Sequence, residues 1–260
     1  MSLYFCDSKN YFIRDILKNY LGLTDDKLKI IYNHIYNQNN SQKHKPIIID
    51  KSDVYLNELS DINHYLLTGI DLPIIASSNT VNNRKLMVIG SEPLRNWNYF
   101  FENNLSIYNQ IAISTPYSLH LNDAKETVYY NIAEHLSKTH KVYLTDLRKI
   151  WFAGFERHKT FIEAELHNKF LLAEINYFNP ECIITFGKNV FDALTSIVKT
   201  NNLNLKVHYL IHPSQRTQGE GRKTFFEKVG IDISRYKSIT NASERNAIPY
   251  LEYLDKIISP

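Results

Sequence analysis

Three ionisable side chains stand directly after short apolar runs in this sequence. Glu92 lies in GSEP (90–93), Asp146 closes VYLTD (142–146), and His212 lies in IHPS (211–214). Carboxylates and an imidazole are the groups that stabilise developing charge and transfer protons. A set of them gathered at one edge of a fold would mark a site for hydrolytic chemistry. Metal chemistry is not expected. The chain has two cysteines, Cys6 and Cys182, too few for a disulfide framework or a four-cysteine metal site. Both read as small buried hydrophobes.

The elements that must position these groups follow from the hydrophobic pattern. LMVIG (86–90), QIAIST (110–115), KVYLTD (141–146), ECIITFG (181–187) and KVHYLIH (206–212) are strand-length and rich in β-branched or aromatic residues. Amphipathic segments at 122–138, 161–178 and 188–199 separate them. Strands alternating with helices predict parallel pairing, and continuously apolar strands predict a sheet covered on both faces. The expected fold is therefore α/β: a three-layer α/β/α sandwich whose mainly parallel central sheet is built from those five runs. Ligands of such sheets bind beyond the carboxyl ends of the strands, where Glu92, Asp146 and His212 fall.

Residues 1–80 read as a helical N-terminal extension on or beside an α/β domain at 81–260. Tyr11, Ile13, Ile16, Leu17, Tyr20 and Leu21 recur at helical spacing, and Gly22 supplies a stop. Thr24 and Asp25 look like a cap before LKIIYNHIYN, and Asp50 to Leu67 reads as another helix. A last helix is expected over 243–258, capped by Ser243.

Composition sets the broad class. In 260 residues, 43% hydrophobic and 22% charged is a globular balance. No run approaches the roughly 20 apolar residues that span a bilayer, and MSLYFCDSKNYFIRD has no apolar stretch of signal-peptide length. A cytoplasmic monomer with no membrane partner is expected. A net charge of +3 permits a nucleic-acid partner without demanding one.

Taken in order, GSEP (90–93), VYLTD (142–146), PECIITFGK (180–188) and IHPS (211–214) resemble the uracil-DNA glycosylase superfamily, over about residues 84 to 230. The resemblance implies hydrolysis of the N-glycosidic bond of a base flipped out of DNA, single- or double-stranded, with no metal or cofactor. It implies that Glu92 stabilises the sugar cation and positions water, and that His212 donates a hydrogen bond to the departing base. It implies a base pocket in which Asp146 is a candidate base contact, with a stacking aromatic for which Phe100, Phe101 and Tyr117 are candidates. Ser214, Gln215, Arg216 and Lys188 become candidate contacts to the DNA backbone, Lys188 being otherwise a solvent-facing cation. The basic stretch from Arg216 to Lys237, with RTQGEGRK as a polar loop, would add phosphate affinity.

The sequence departs from the pattern in three places. Asp146 stands where uracil glycosylases carry a uracil-reading Asn, and an ionised Asp can only accept. Leu94 stands where the uracil enzymes have a bulky Tyr that blocks thymine, which predicts a roomier pocket. The iron–sulfur branch needs four cysteines. The substrate is therefore expected to be a modified or deaminated base other than uracil. Two alternatives stay open: a member of the same superfamily that binds nucleic acid or a nucleotide without cleaving it, and a hydrolase for a small non-nucleic substrate.

Overall fold

A computed structural model describes residues 24–37, 47–53, 67–77, 84–91, 104–106, 108–119, 127–152, 161–214 and 219–258. Its centre is a five-stranded sheet in the order β3 (Ile74–Ala76), β6 (Lys141–Asp146), β4 (Lys85–Gly90), β8 (Cys182–Phe186), β9 (Lys206–Leu210). The pairs β4–β6, β4–β8 and β8–β9 are parallel; only the edge pair β3–β6 is antiparallel. The expected three-layer, mainly parallel α/β/α architecture is the one observed.

Alternation along β4 shows how both faces are used. Leu86 and Val88 enter one core, with α2 (Val128–Ser137) and α6 (Ala242–Ile258) supplying Ile132, Leu136, Tyr250 and Leu254. Met87 and Ile89 enter the other, with α1 (Asp25–Asn37), α3 (Phe161–Phe178) and α4 (Lys188–Thr200) supplying Tyr32, Leu171, Ile175 and Leu194. The chain runs from β4 outward to β6 through α2, then back past β4 to β8 through α3. Crossovers of one hand must place helices on opposite faces when the direction reverses, and α2 and α3 lie in different cores. The reversal at β4 opens a crevice beyond its carboxyl end, at Gly90.

Two sequence expectations need correction. The run at 110–114 is a strand, β5 (Gln110–Ser114), but it lies outside the central sheet. Both edges of β4 are occupied by β6 and β8, and the free edge of β6 by β3. β5 instead pairs antiparallel with β1 (Ile47–Asp50) and parallel with β2 (Leu67–Asp71), and β7 (Ile150–Phe152) completes a second sheet in the order β1-β5-β2-β7. The N-terminal segment is likewise not helical throughout. Asp25–Asn37 is a helix, as expected, but the helix expected from Asp50 to Leu67 ends in strands on both sides, and 54–66 lies outside the described residues. Runs such as IIID and IIA are β-branched, and they pack as strands against the core. β3, inside the expected extension, pairs antiparallel with β6 of the α/β domain. The helix expected at 11–21 lies outside the described residues.

The C-terminal expectations are also adjusted. The last helix starts at Ala242, and its first-turn Glu244 N–H is accepted by Asn241 Oδ1 at 3.0 Å, not by Ser243. The tract read as a polar loop includes a helix, α5 (Glu220–Lys228).

Candidate active site

The carboxyl ends of the parallel strands deliver two of the sequence-predicted groups, Asp146 and His212, to one place. β6 ends in Asp146, which is 3% exposed and lies level with Gly90 at the end of β4. A Cβ added at Gly90 would sit 2.3 Å from Asp146 Oδ1 and 2.2 Å from the Tyr117 hydroxyl oxygen. Gly90 is therefore glycine because a carboxylate and a phenol both press on its Cα. Tyr117 reaches this point from a short 3-10 turn, Pro116–Ser118, that follows β5.

The Tyr117 ring lies flat on the ring of Tyr129, with centroids 3.8 Å apart and planes 14° from parallel. Phe186, at the end of β8, meets both rings edge-on. Tyr129 is positioned by the start of α2, where Thr127 caps the helix by accepting from the Tyr130 N–H at 3.2 Å. Burial holds both tyrosine hydroxyls above their ordinary range, and the charge of Asp146 adds to this.

His212 closes the row. Gly187, at φ +93, turns the chain from β8 into α4, and its N–H donates to Leu210 O at 2.8 Å. This brings the end of β9 alongside, and a Cβ at Gly187 would meet His212 Cβ at 3.9 Å. The Tyr129 hydroxyl is 3.2 Å from His212 Nδ1 and 3.1 Å from Nε2. The Ser214 N–H donates to Nδ1 at 3.3 Å, which leaves the neutral ring its proton on Nε2. Burial lowers the His212 pKa, so the neutral form prevails at pH 7. The site thus holds a neutral imidazole with an orientable N–H, a buried carboxyl, and an aromatic stack between them.

Behind Asp146 lies a buried ionic network that the sequence reading missed. Lys149 Nζ is 2.7 Å from Glu174 Oε2, with side chains 4% and 0% exposed, and it donates to the Asp146 carbonyl at 2.9 Å. The Tyr143 and Thr145 hydroxyls donate to Glu174 Oε1 at 3.0 and 3.3 Å. A signal existed: Glu174 sits at helical spacing within the buried stripe Phe170, Leu171, Ile175, Phe178, where a lone carboxylate demands a partner. Tyr129 was missed too, two residues after the Thr127 cap at the start of α2.

Glu92, Phe100, Phe101, Gln215 and Arg216 lie outside the described residues. Lys188 stands at the start of α4 with its charge paired to Asp192, and Ser214 is engaged through its N–H at His212. The basic stretch is less open than its composition implied. Arg222 is 7% exposed and donates to the Asn246 side chain and carbonyl at 2.8 and 2.7 Å. Arg235 pairs with Glu252 at 2.5 Å, and Lys223 with Glu227 at 3.7 Å. Among the described residues no group of three or more His, Cys, Asp or Glu could hold a metal ion, and no helix is long and apolar enough to cross a membrane.

The family model of the uracil DNA glycosylase superfamily matches residues 78–233, more than half of the chain. The protein belongs to the uracil-DNA glycosylase superfamily. No protein of curated function matches the chain. The matched span runs from just before β4 to beyond α5, and it contains all four motifs, with Gly90 and Asp146 ending β4 and β6, Gly187 directly after β8 and His212 two residues after β9. The helix α1 and strands β1, β2 and β3 precede it.

Proposed function

We propose that this superfamily member is a DNA glycosylase that hydrolyses the N-glycosidic bond of a flipped-out modified or deaminated base. The observation that carries the reading is the row Asp146, Tyr117, Tyr129, His212 at the carboxyl edge of the sheet. Bond cleavage leaves cationic character on the sugar and negative charge on the base. A neutral His212 donates Nε2–H to the base oxygen as charge develops there, and a neutral donor avoids the cost of a buried imidazolium. The Tyr129 hydroxyl, within reach of both ring nitrogens, holds the imidazole in place. Glu92, two residues beyond Gly90, supplies the carboxylate that steadies the sugar cation and orients the attacking water. Asp146 reads the edge of the base. Contacts to the backbone come from Ser214, Gln215, Arg216 and Lys188, and the enzyme acts as a monomer without metal or cofactor.

An acid at 146 argues against uracil. An ionised carboxylate repels the uracil O4 oxygen but can accept from an N–H or an exocyclic amine. The same feature favours a second reading, in which the protein binds nucleic acid without cleaving it. A panel of oligonucleotides, each carrying one altered base and treated with alkali after incubation, separates the two. Strand breaks at one lesion support the enzyme. Retention of a lesion-bearing strand without breaks, unchanged by Glu92→Gln, supports the binding protein.

A further inference from the structure

We infer that the Tyr117 ring occupies the position of the flipped base in the free protein, and that Tyr129 is the wall on which a base stacks once Tyr117 turns out. The inference rests on the glycosylase reading for the identity of the ligand as a nucleobase. The ring-sized site itself rests on geometry alone.

Four observations on one residue converge. Tyr117 has φ +54 and ψ 15, and Ser118 after it has φ +53. Two successive non-glycine residues in the left-handed region are disfavoured, the more so for a bulky ring, and they persist only where the surroundings hold them. The Tyr117 hydroxyl is fully buried yet makes no hydrogen bond among the described residues, although an interior tyrosine normally finds a partner. Its ring is stacked on Tyr129 nearly in parallel, as a planar base stacks on an aromatic side chain. Its polar end rests in the hollow over Gly90 beside Asp146, where the hydrogen-bonding edge of a base would be read. A packing residue has no need of the strained backbone or the unmet hydroxyl. A movable occupant has both, because each favours its departure when a better ligand arrives.

The competition has a calculable form. Only the fraction of molecules with Tyr117 turned out binds a base, so the apparent dissociation constant rises by the reciprocal of that fraction. Removing the ring removes the competitor. If Tyr117 were instead the stacking wall, removing it would weaken binding, so the two roles predict opposite signs.

The test uses Tyr117→Gly, since glycine keeps the left-handed turn while emptying the site. Calorimetric titrations use p-cresol, which mimics the missing side chain, and free uracil, cytosine and adenine, against wild type, Tyr117→Gly and Tyr117→Gly/Tyr129→Leu. The expected result is that Tyr117→Gly binds p-cresol and binds at least one base about tenfold or more tighter than wild type, both lost in the double variant. The inference is overturned if Tyr117→Gly takes p-cresol but no base, if it takes neither, or if it binds bases more weakly than wild type. Should Tyr117→Gly not fold, 3-fluorotyrosine at position 117 serves instead. Its fluorine resonance moves from a buried to a solvent-exposed position when base saturates the protein, and an unmoved resonance at saturation, or no binding at all, overturns the inference. Absence of excision on every lesion, with the base titrations as expected, would sink the glycosylase reading and leave the base site standing.

Discussion

Replacing Lys149 by Met should unfold the protein more readily than any surface change, and in a pH-dependent way. Lys149 and Glu174 are both buried, and their charges are 2.7 Å apart. Burial raises the Glu174 pKa, and Lys149 only partly counters this. Without the ammonium, Glu174 keeps two hydroxyl donors but no countercharge. Breaking such a pair by removing one partner costs about 3–5 kcal/mol, a large share of a typical 5–15 kcal/mol total. The carboxyl has one escape, which is to take a proton. In Lys149→Met its folded pKa rises further above the ordinary 4.5. A group whose folded pKa is raised contributes stability at low pH that is lost as pH rises towards the folded value. The loss should therefore be near its full size at pH 8 and smaller at pH 5. Glu174→Gln added to Lys149→Met removes the orphan charge while keeping an acceptor for Tyr143 and Thr145, and should recover much of the loss at pH 8. Urea unfolding of the wild type, Lys149→Met and the double variant at both pH values measures this. A Lys149→Met loss under about 0.5 kcal/mol at pH 8, in the range of ordinary surface changes, would refute the reasoning. So would a loss that does not change with pH.

Gly90→Ala places a Cβ 2.2 Å from the Tyr117 hydroxyl and 2.3 Å from Asp146, in the hollow where the base edge would be read, so it should weaken base binding even though it also displaces the competing Tyr117 ring, with titration of free base as the readout. His212→Ala should lower the excision rate by about 2–4 kcal/mol of barrier while leaving lesion affinity nearly intact, because its hydrogen bond strengthens with charge on the base. Burial lowers the folded pKa of His140, His208 and His212 below the ordinary 6.5, so the unfolded chain takes up protons first as pH falls. Their combined contribution lowers the urea midpoint between pH 7.5 and 5.5, opposite in sign to that of Glu174; in Lys149→Met/Glu174→Gln, where that carboxyl no longer titrates, a rise would contradict the burial of these rings. Asp146→Asn should gain uracil binding or excision by an amount equivalent to about 1–3 kcal/mol, since the amide both donates and accepts. Robust wild-type excision of uracil, unaltered in the variant, would show that residue 146 does not read the base.

How much was legible in the sequence differs between the two sheets. The central strands were readable because parallel strands covered on both faces carry near-continuous apolar runs, as LMVI (86–89), VYL (142–144) and CII (182–184) show. Their ends placed Asp146 and His212 correctly at one edge. The second sheet was not readable. β1, β2 and β7 are three to five residues long, too short to establish a period, and β5 resembles a central strand in every local respect. Its exclusion is a matter of competition for edges, which no window of sequence contains.

That misplacement matters for function, because β5 carries Tyr117 into the site. With β5 in the central sheet, the residues after it would sit in line with Gly90 and Asp146. From the second sheet, Pro116–Ser118 instead brings the Tyr117 ring to lie across the crevice, its hydroxyl over Gly90 and its face on Tyr129. The same sheet contributes Lys149: its carbonyl accepts from the Asp71 N–H at the end of β2, while its ammonium holds the Asp146 carbonyl and Glu174. One sheet therefore supplies the carboxyl and the imidazole, and the other supplies the ring that covers them and the cation that braces the carboxyl's peptide. The join between the sheets is also where the buried charges lie, so changes in β2, β5 or β7 should alter base affinity without touching Asp146 or His212.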